Sequence, residues 1–88
     1  MTAIRYTILV TRTAEKALIK LPKKDQTRLI QVIQGLASDP FPVGFRKLQG
    51  ELNAFRVRSG LYRIIYEVDG KRIVIIILKI GHRKNIYR

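Results

Sequence analysis

RIVIIILKI, residues 72–80, places apolar side chains at consecutive positions from Ile73 to Leu78. Successive side chains of a strand point to opposite faces, so this run reads as a central strand, apolar on both faces and paired on both edges. It is far too short to span a bilayer as a helix. The chain must therefore supply further strands to flank it.

The residues before it do so. NAFRVRSGLYRIIYEV, residues 53–68, has the alternation of a β-hairpin, and Ser59-Gly60 reads as its two-residue turn. That turn sets Arg58 against Leu61, Val57 against Tyr62 and Arg56 against Arg63. Phe55, Val57, Tyr62, Ile64 and Tyr66 then share one face. Arg56, Arg58, Leu61, Arg63, Ile65 and Glu67 share the other. Asp69-Gly70 is a type I′ turn signal leading into the central strand. A two-residue turn there predicts Glu67 opposite Arg72, Tyr66 opposite Ile73, Ile64 opposite Ile75 and Tyr62 opposite Ile77.

The N-terminal half is organised differently. Ile4, Tyr6, Ile8 and Val10 alternate with Arg5, Thr7 and Leu9 as a first strand. Thr11 and Thr13 are N-cap candidates. Ala14, Ala17, Leu18 and Leu21 then mark one face of a short helix. Leu21-Pro22 ends it, and Pro22 can open the next helix at its first position. Leu29, Ile30, Val32, Ile33 and Leu36 give that second helix a broad apolar stripe, stopped by Ser38-Asp39-Pro40. FPVGF, residues 41–45, is a loop; Arg46-Lys47-Leu48 reads as a short strand and Gln49-Gly50 as a turn. The expectation is one α+β domain over residues 1–88: a small, mainly antiparallel sheet in the order β-α-α-β-β-β. An αα-hairpin covers the Tyr62/Ile64/Tyr66 face. The arginine face, which also carries Ile65, Val74 and Ile76, is left uncovered, and a mixed basic and apolar patch of that kind marks a binding surface.

Charge bears on what it binds. The net charge is +12 and the pI about 10.8, which attracts polyanions. From Ala54 onward nine Lys/Arg stand against Glu67 and Asp69. A solvated outer face would account for the three hairpin arginines, and so would an anion seated over them. There is no cysteine, one histidine and six scattered carboxylates, so neither disulfides nor metal-ligand spacing is present, and no Gly-rich phosphate loop occurs. No cofactor is expected. Ser59 lacks a His/Asp pattern and reads as a turn residue. MTAIRYTILV has no apolar secretion-signal core, so a cytoplasmic location is expected. The charges fall largely on strands rather than along one helix face, which argues against a membrane-surface role.

The tail GHRKNIYR, residues 81–88, holds the remaining chemistry. Arginine forks grip phosphate and a tyrosine ring stacks on a base. His82 titrates near neutrality when unperturbed, and reads either as a structural residue or as a proton carrier. Tyr87 reads either as an RNA-stacking ring or as packing against the sheet.

KLQGELNAFRVRSGLYRIIYEV followed by GHRKNIY resembles the RelE/ParE superfamily of bacterial and archaeal toxins. The matching elements are a Lys-Leu-x-Gly turn, the arginine-studded hairpin and a closing GHR…Y, and the resemblance spans the chain. It implies a toxin of a type II toxin–antitoxin system. The full basic set favours the RelE branch, whose members enter the ribosomal A site and cut mRNA there. They do so without metal, using the RNA's 2′-OH and leaving a 2′,3′-cyclic phosphate. By motif, the catalytic positions fall on Arg63, Arg83 and Tyr87, with His82 sharing proton transfer. RNA-binding positions fall on Arg56 and Arg58, with Lys47 and Arg88 beside them. Arginine is effectively never deprotonated, so neither Arg56 nor Arg58 is a general base. The implied partners are the ribosome and mRNA and an acidic cognate antitoxin. Two other readings remain open: a ParE-like toxin inhibiting DNA gyrase, and an RNA-binding module without catalysis.

Overall fold

The computed structural model describes residues 4–50 and 53–82. Strand β1 (Thr7–Val10) leads into helices α1 (Arg12–Ile19) and α2 (Lys23–Leu36). Four strands follow: β2 (Arg46–Lys47), β3 (Ala54–Ser59), β4 (Tyr62–Asp69) and β5 (Val74–His82). They form one sheet in the order β1-β5-β4-β3-β2. Only the β1–β5 pair is parallel. The α+β architecture and the expected order hold, with β1 at one edge and the two-residue β2 at the other. β5 is paired on both sides, as its apolar run requires. No helix among the described residues is long and apolar enough to cross a membrane.

Local chemistry accounts for the helical hairpin. Thr11 caps α1, its Oγ1 accepting from the Ala14 amide at 3.2 Å. The same hydroxyl lies 3.0 Å and 3.1 Å from the carbonyl oxygens of Ile77 and Leu78, to which it donates. One side chain thus caps a helix and ties it to β5. Pro22 occupies the N-cap of α2 rather than its first turn; lacking an N–H, it leaves no donor unpaired there. The Gln26 side-chain amide donates to the carbonyls of Ile19 (3.1 Å) and Leu21 (2.8 Å), satisfying the end of α1 from the start of α2.

The helices bury Ala14, Leu29, Ile33 and Leu36 against Val57, Ile64, Tyr66, Val68, Ile75, Ile77 and Ile80. This is the predicted face, although the registers differ from expectation at both hairpins. The first turn is Gly60-Leu61, with Ser59 opposite Tyr62 and Arg58 opposite Arg63. Gly60 has φ +61, and a type II′ turn puts glycine at its first central position, which Ser59 would occupy unfavourably. The whole pairing slides by two, so every residue keeps its face.

The second connection is four residues, 70–73, with Asp69 opposite Val74 and Glu67 opposite Ile76. The expected Glu67–Arg72 pair does not form. The Asp69 carboxylate instead accepts from the amides of Lys71 (3.1 Å) and Arg72 (3.0 Å), widening the turn. Ile73 takes φ +58, a conformation that costs a β-branched residue roughly 1–3 kcal/mol. The ladder then shifts: Tyr66 opposes Ile77 but Ile65 opposes Lys79, leaving Leu78 as the extra residue of a β-bulge. Without it, strict alternation from Ile75 and Ile77 would turn Lys79 into the core and Ile80 out of it. With it, Ile80 is buried and Lys79 exposed.

Candidate functional site

The face of the sheet opposite the helices is built from alternate positions of four strands. Arg46 on β2 opposes Arg56 on β3, which opposes Ile65 on β4, which opposes Lys79 on β5. In the adjacent row Arg58 opposes Arg63, and Arg63 opposes Gly81. Directly opposed residues hold their Cβ atoms about 4.5–5.5 Å apart, so these two rows form one basic surface. Arg46, Arg58 and Lys79 are exposed; Arg56 and Arg63 are half-buried, and the Arg63 Nε is buried. Further along β4 the same face carries Glu67 and Asp69. Arginines thus gather at the Gly60 end, whereas at the other end Glu67 and Asp69 are accompanied by Lys71 and Arg72, with the Arg72 Nε 3.8 Å from the Asp69 carboxylate.

Arg56, Arg58 and Arg63 share the face expected of them. Lys47 does not join them. It pairs with Phe55, whose ring packs against the core, so Lys47 belongs to the opposite side of the edge strand. Arg46 takes the place expected of Lys47. Lys79 was also illegible, because its face depends on the bulge. Ile65, expected in an open apolar patch, is 5% exposed. Its cross-strand neighbours Arg56 and Lys79 carry long aliphatic stems suited to covering it. The surface is more basic and less greasy than the alternation implied.

His82 is half-buried and opposes Tyr62 on the helix-side face, their ring centroids 6.1 Å apart in a T-shaped contact. The Tyr62 O–H donates to Asp25 Oδ2 on α2 at 3.3 Å. Desolvation raises the tyrosine's pKa, and the Asp25 charge and hydrogen bond raise it further. The bulge therefore sends His82 to a structural aromatic contact and presents Gly81 to Arg63. Proton transfer by His82 at the arginine face, which the motif implied, is not what this placement favours. Arg83, Tyr87 and Arg88 lie outside the described residues.

The FPVGF segment contributes more than a loop connection. The rings of Phe41, Phe45 and Phe55 pack together at centroid distances of 5.1–6.0 Å, and Phe55 stacks on Tyr66 at 5.9 Å. The Tyr66 O–H donates to the Pro40 carbonyl at 2.7 Å. Burial, with the Asp39 charge adding to it, pushes the Tyr66 pKa up to about 12. These contacts hold the loop beside β3. Between them lies a cleft of about 290 Å3 lined by Val43, Gly44, Arg46, Arg56, Val57 and Arg58.

A family model described as the ParE toxin of the type II toxin–antitoxin system parDE matches residues 8–87. The chain belongs to this toxin family. The toxin is 36% identical over 85 residues to Toxin RelG of Mycobacterium tuberculosis, covering 94% of this chain and 97% of that one. Its fold superposes on the RelBE2 toxin–antitoxin complex of M. tuberculosis with a TM-score of 0.81 at 29% identity, covering 96% and 98% of the two chains. The archaeal RelE–RelB complex of Pyrococcus horikoshii gives 0.82 at 34% identity, covering 92% and 98%. The protein is thus a RelE/ParE-superfamily toxin of RelE type.

Proposed function

We propose that the toxin is a ribosome-dependent endoribonuclease that cuts mRNA in the A site and so arrests translation in the cytoplasm. The observation that supports this reading most is the pairing of Arg58 with Arg63 beside Arg56 on the open face of the sheet. Opposed like charges cost a strand pair roughly 0.2–1 kcal/mol, and a phosphodiester bound over them would offset that repulsion. The 2′-oxygen of the preceding ribose attacks phosphorus, the bond to the 5′-oxygen breaks, and a 2′,3′-cyclic phosphate remains. Arg63 stabilises the charge that develops on the phosphoryl oxygens, a task worth about 3 kcal/mol per preorganised donor. Arg56 and Arg58 hold the flanking backbone with bidentate forks. The 2′-OH loses one proton and the departing 5′-oxygen gains one, so the step is proton-neutral overall, and arginine cannot be the base that accepts the first. Arg83 and Tyr87 enter on the motif alone, and Arg88 as a basic residue of the tail able to contact RNA.

Relatives of known structure include complexes of RelE-type toxins with RelB antitoxins, from Pyrococcus horikoshii and Methanococcus jannaschii. By the same reading this toxin is held inactive by a cognate antitoxin with an acidic toxin-binding segment, whose carboxylates meet the basic face.

The family model carries the ParE name, so inhibition of DNA gyrase is the reading to test against. Toeprinting on translating ribosomes with added toxin separates the possibilities. Cuts within the A-site codon support the proposal. Gyrase-dependent DNA breaks with intact mRNA replace it with the ParE activity. Binding to RNA with neither outcome makes the chain an RNA-binding module.

A further inference from the structure

We propose that the cleft between the FPVGF loop and β3 is a subsite for one unstacked nucleotide, in which the base is recognised as well as the phosphate. The proposal rests on the RNA reading of the arginine face and adds a site beside it. Four observations converge. First, the volume of about 290 Å3 lies at the lower edge of small-ligand pockets, roughly 300 Å3, and suits a single nucleotide better than a duplex. Second, three of its six lining residues are arginines: Arg46, Arg56 and Arg58. Guanidinium forks both bind phosphate and stack on base planes.

Third, the cleft interrupts a β-ladder. The Leu48 amide donates to the Ala54 carbonyl at 3.0 Å, and Arg46 opposes Arg56. Two positions further on, the next hydrogen-bonded pair in that register would set Gly44 against Arg58. Gly44 has φ +91, which takes the chain out of the strand, and β2 ends at Arg46. Among the described residues no β2 residue pairs with Arg58. In an antiparallel ladder the N–H and C=O of one residue point to the same side. Those of Arg58 therefore face the cleft as an adjacent donor and acceptor, the combination that a base edge complements. Fourth, Val43 is a fully exposed apolar side chain at the lip of the cleft, in a loop that the phenylalanine cluster holds in place. An apolar residue so placed offers a base plane a surface to lie on.

Mononucleotide binding to the free toxin, followed by backbone amide NMR, tests this without ribosomes. The probes are the four nucleoside 5′-monophosphates, with ribose 5-phosphate as the base-free control. At least one nucleotide should bind about tenfold tighter than ribose 5-phosphate, the factor one well-made hydrogen bond supplies. The largest shifts should fall on Val43, Gly44 and Arg58. Val43→Ser, at a wholly exposed position, should reduce the nucleotide preference severalfold and leave ribose 5-phosphate binding unchanged. Arg46→Ala should weaken both ligands alike. Equal affinity for all five probes, or shifts confined to residues outside the cleft, overturns the subsite. The two readings fail separately. Ribosomal cutting by a toxin that binds no nucleotide in the cleft removes the subsite alone. Nucleotide binding in the cleft by a toxin that cuts no mRNA upholds the subsite and removes the nuclease reading.

Discussion

Arg58 and Arg63 stand directly opposite each other across the β3–β4 ladder, one pair away from the Gly60-Leu61 turn. Both side chains are guanidinium cations. Opposed like charges cost a strand pair roughly 0.2–1 kcal/mol, so this pair works against the fold it sits in. Arg58→Thr, which keeps a strand-forming residue, should therefore raise stability by up to about 1 kcal/mol in low-salt urea unfolding. The gain should shrink as salt screens the wild-type repulsion. A variant less stable than wild type at low salt would mean that Arg58 contributes more by packing than it costs by charge.

Arg63→Met preserves the aliphatic stem and removes the charge. Growth inhibition on induction should be lost, and single-turnover cleavage on ribosomes should fall by about 10²–10³-fold, with circular dichroism unchanged. Full toxicity at equal expression would remove Arg63 from the chemistry.

His82 should behave differently. It packs on Tyr62 across the sheet from the arginines, so His82→Ala should lower single-turnover cleavage by less than about tenfold. A general acid or base would cost roughly 10²–10⁴-fold, and a loss of that size would return His82 to the catalytic set.

Thr11 serves two structures with one hydroxyl, the α1 N-cap and the Ile77 and Leu78 carbonyls. Thr11→Val, nearly isosteric, should destabilise by about 1–2 kcal/mol in urea unfolding. A change within 0.5 kcal/mol, the scatter of ordinary surface substitutions, would show that water replaces the hydroxyl at no cost.

Tyr66 gives the fold an alkaline limit. Its pKa rises from 10.0 to about 12 on folding, so the unfolded chain loses this proton first. The stabilisation is intact below pH 10 and is lost as pH rises through about 12. Stability should fall across that window, and Tyr66→Phe should flatten the fall while lowering stability at pH 7 through loss of the Pro40 hydrogen bond. An unchanged alkaline slope in the variant would assign the limit to another group.

Much of this was legible in the sequence because periodicity survives local error. The β3–β4 turn falls one residue later than Ser59-Gly60 suggests, yet a slide of two in the pairing leaves Arg56, Arg58 and Arg63 on one face. The helix stripe through Leu29, Ile33 and Leu36 and the alternation through Ile64 and Tyr66 likewise identify their buried sides without register. What failed to show were features set by a single residue's pairing. Lys79 and Ile80 exchange faces because Leu78 bulges, and nothing in an unbroken apolar run marks which residue will do so. Arg46 and Lys47 are chemically interchangeable on paper, and only the pairing of Arg46 with Arg56 decides which one joins the basic surface. The wall made by FPVGF depends on rings that meet from distant parts of the chain.

Along the outer face of β4 the side chains run from Arg63 through Ile65 to Glu67 and Asp69, and Lys71 and Arg72 follow in the turn, the Arg72 Nε 3.8 Å from the Asp69 carboxylate. Two carboxylates and two cations make that end nearly neutral, while the hairpin end keeps its surplus of arginine. The sheet therefore carries a gradient of charge rather than two opposite poles. Any polyanion approaching it would be drawn to the hairpin tip before the rest of the face.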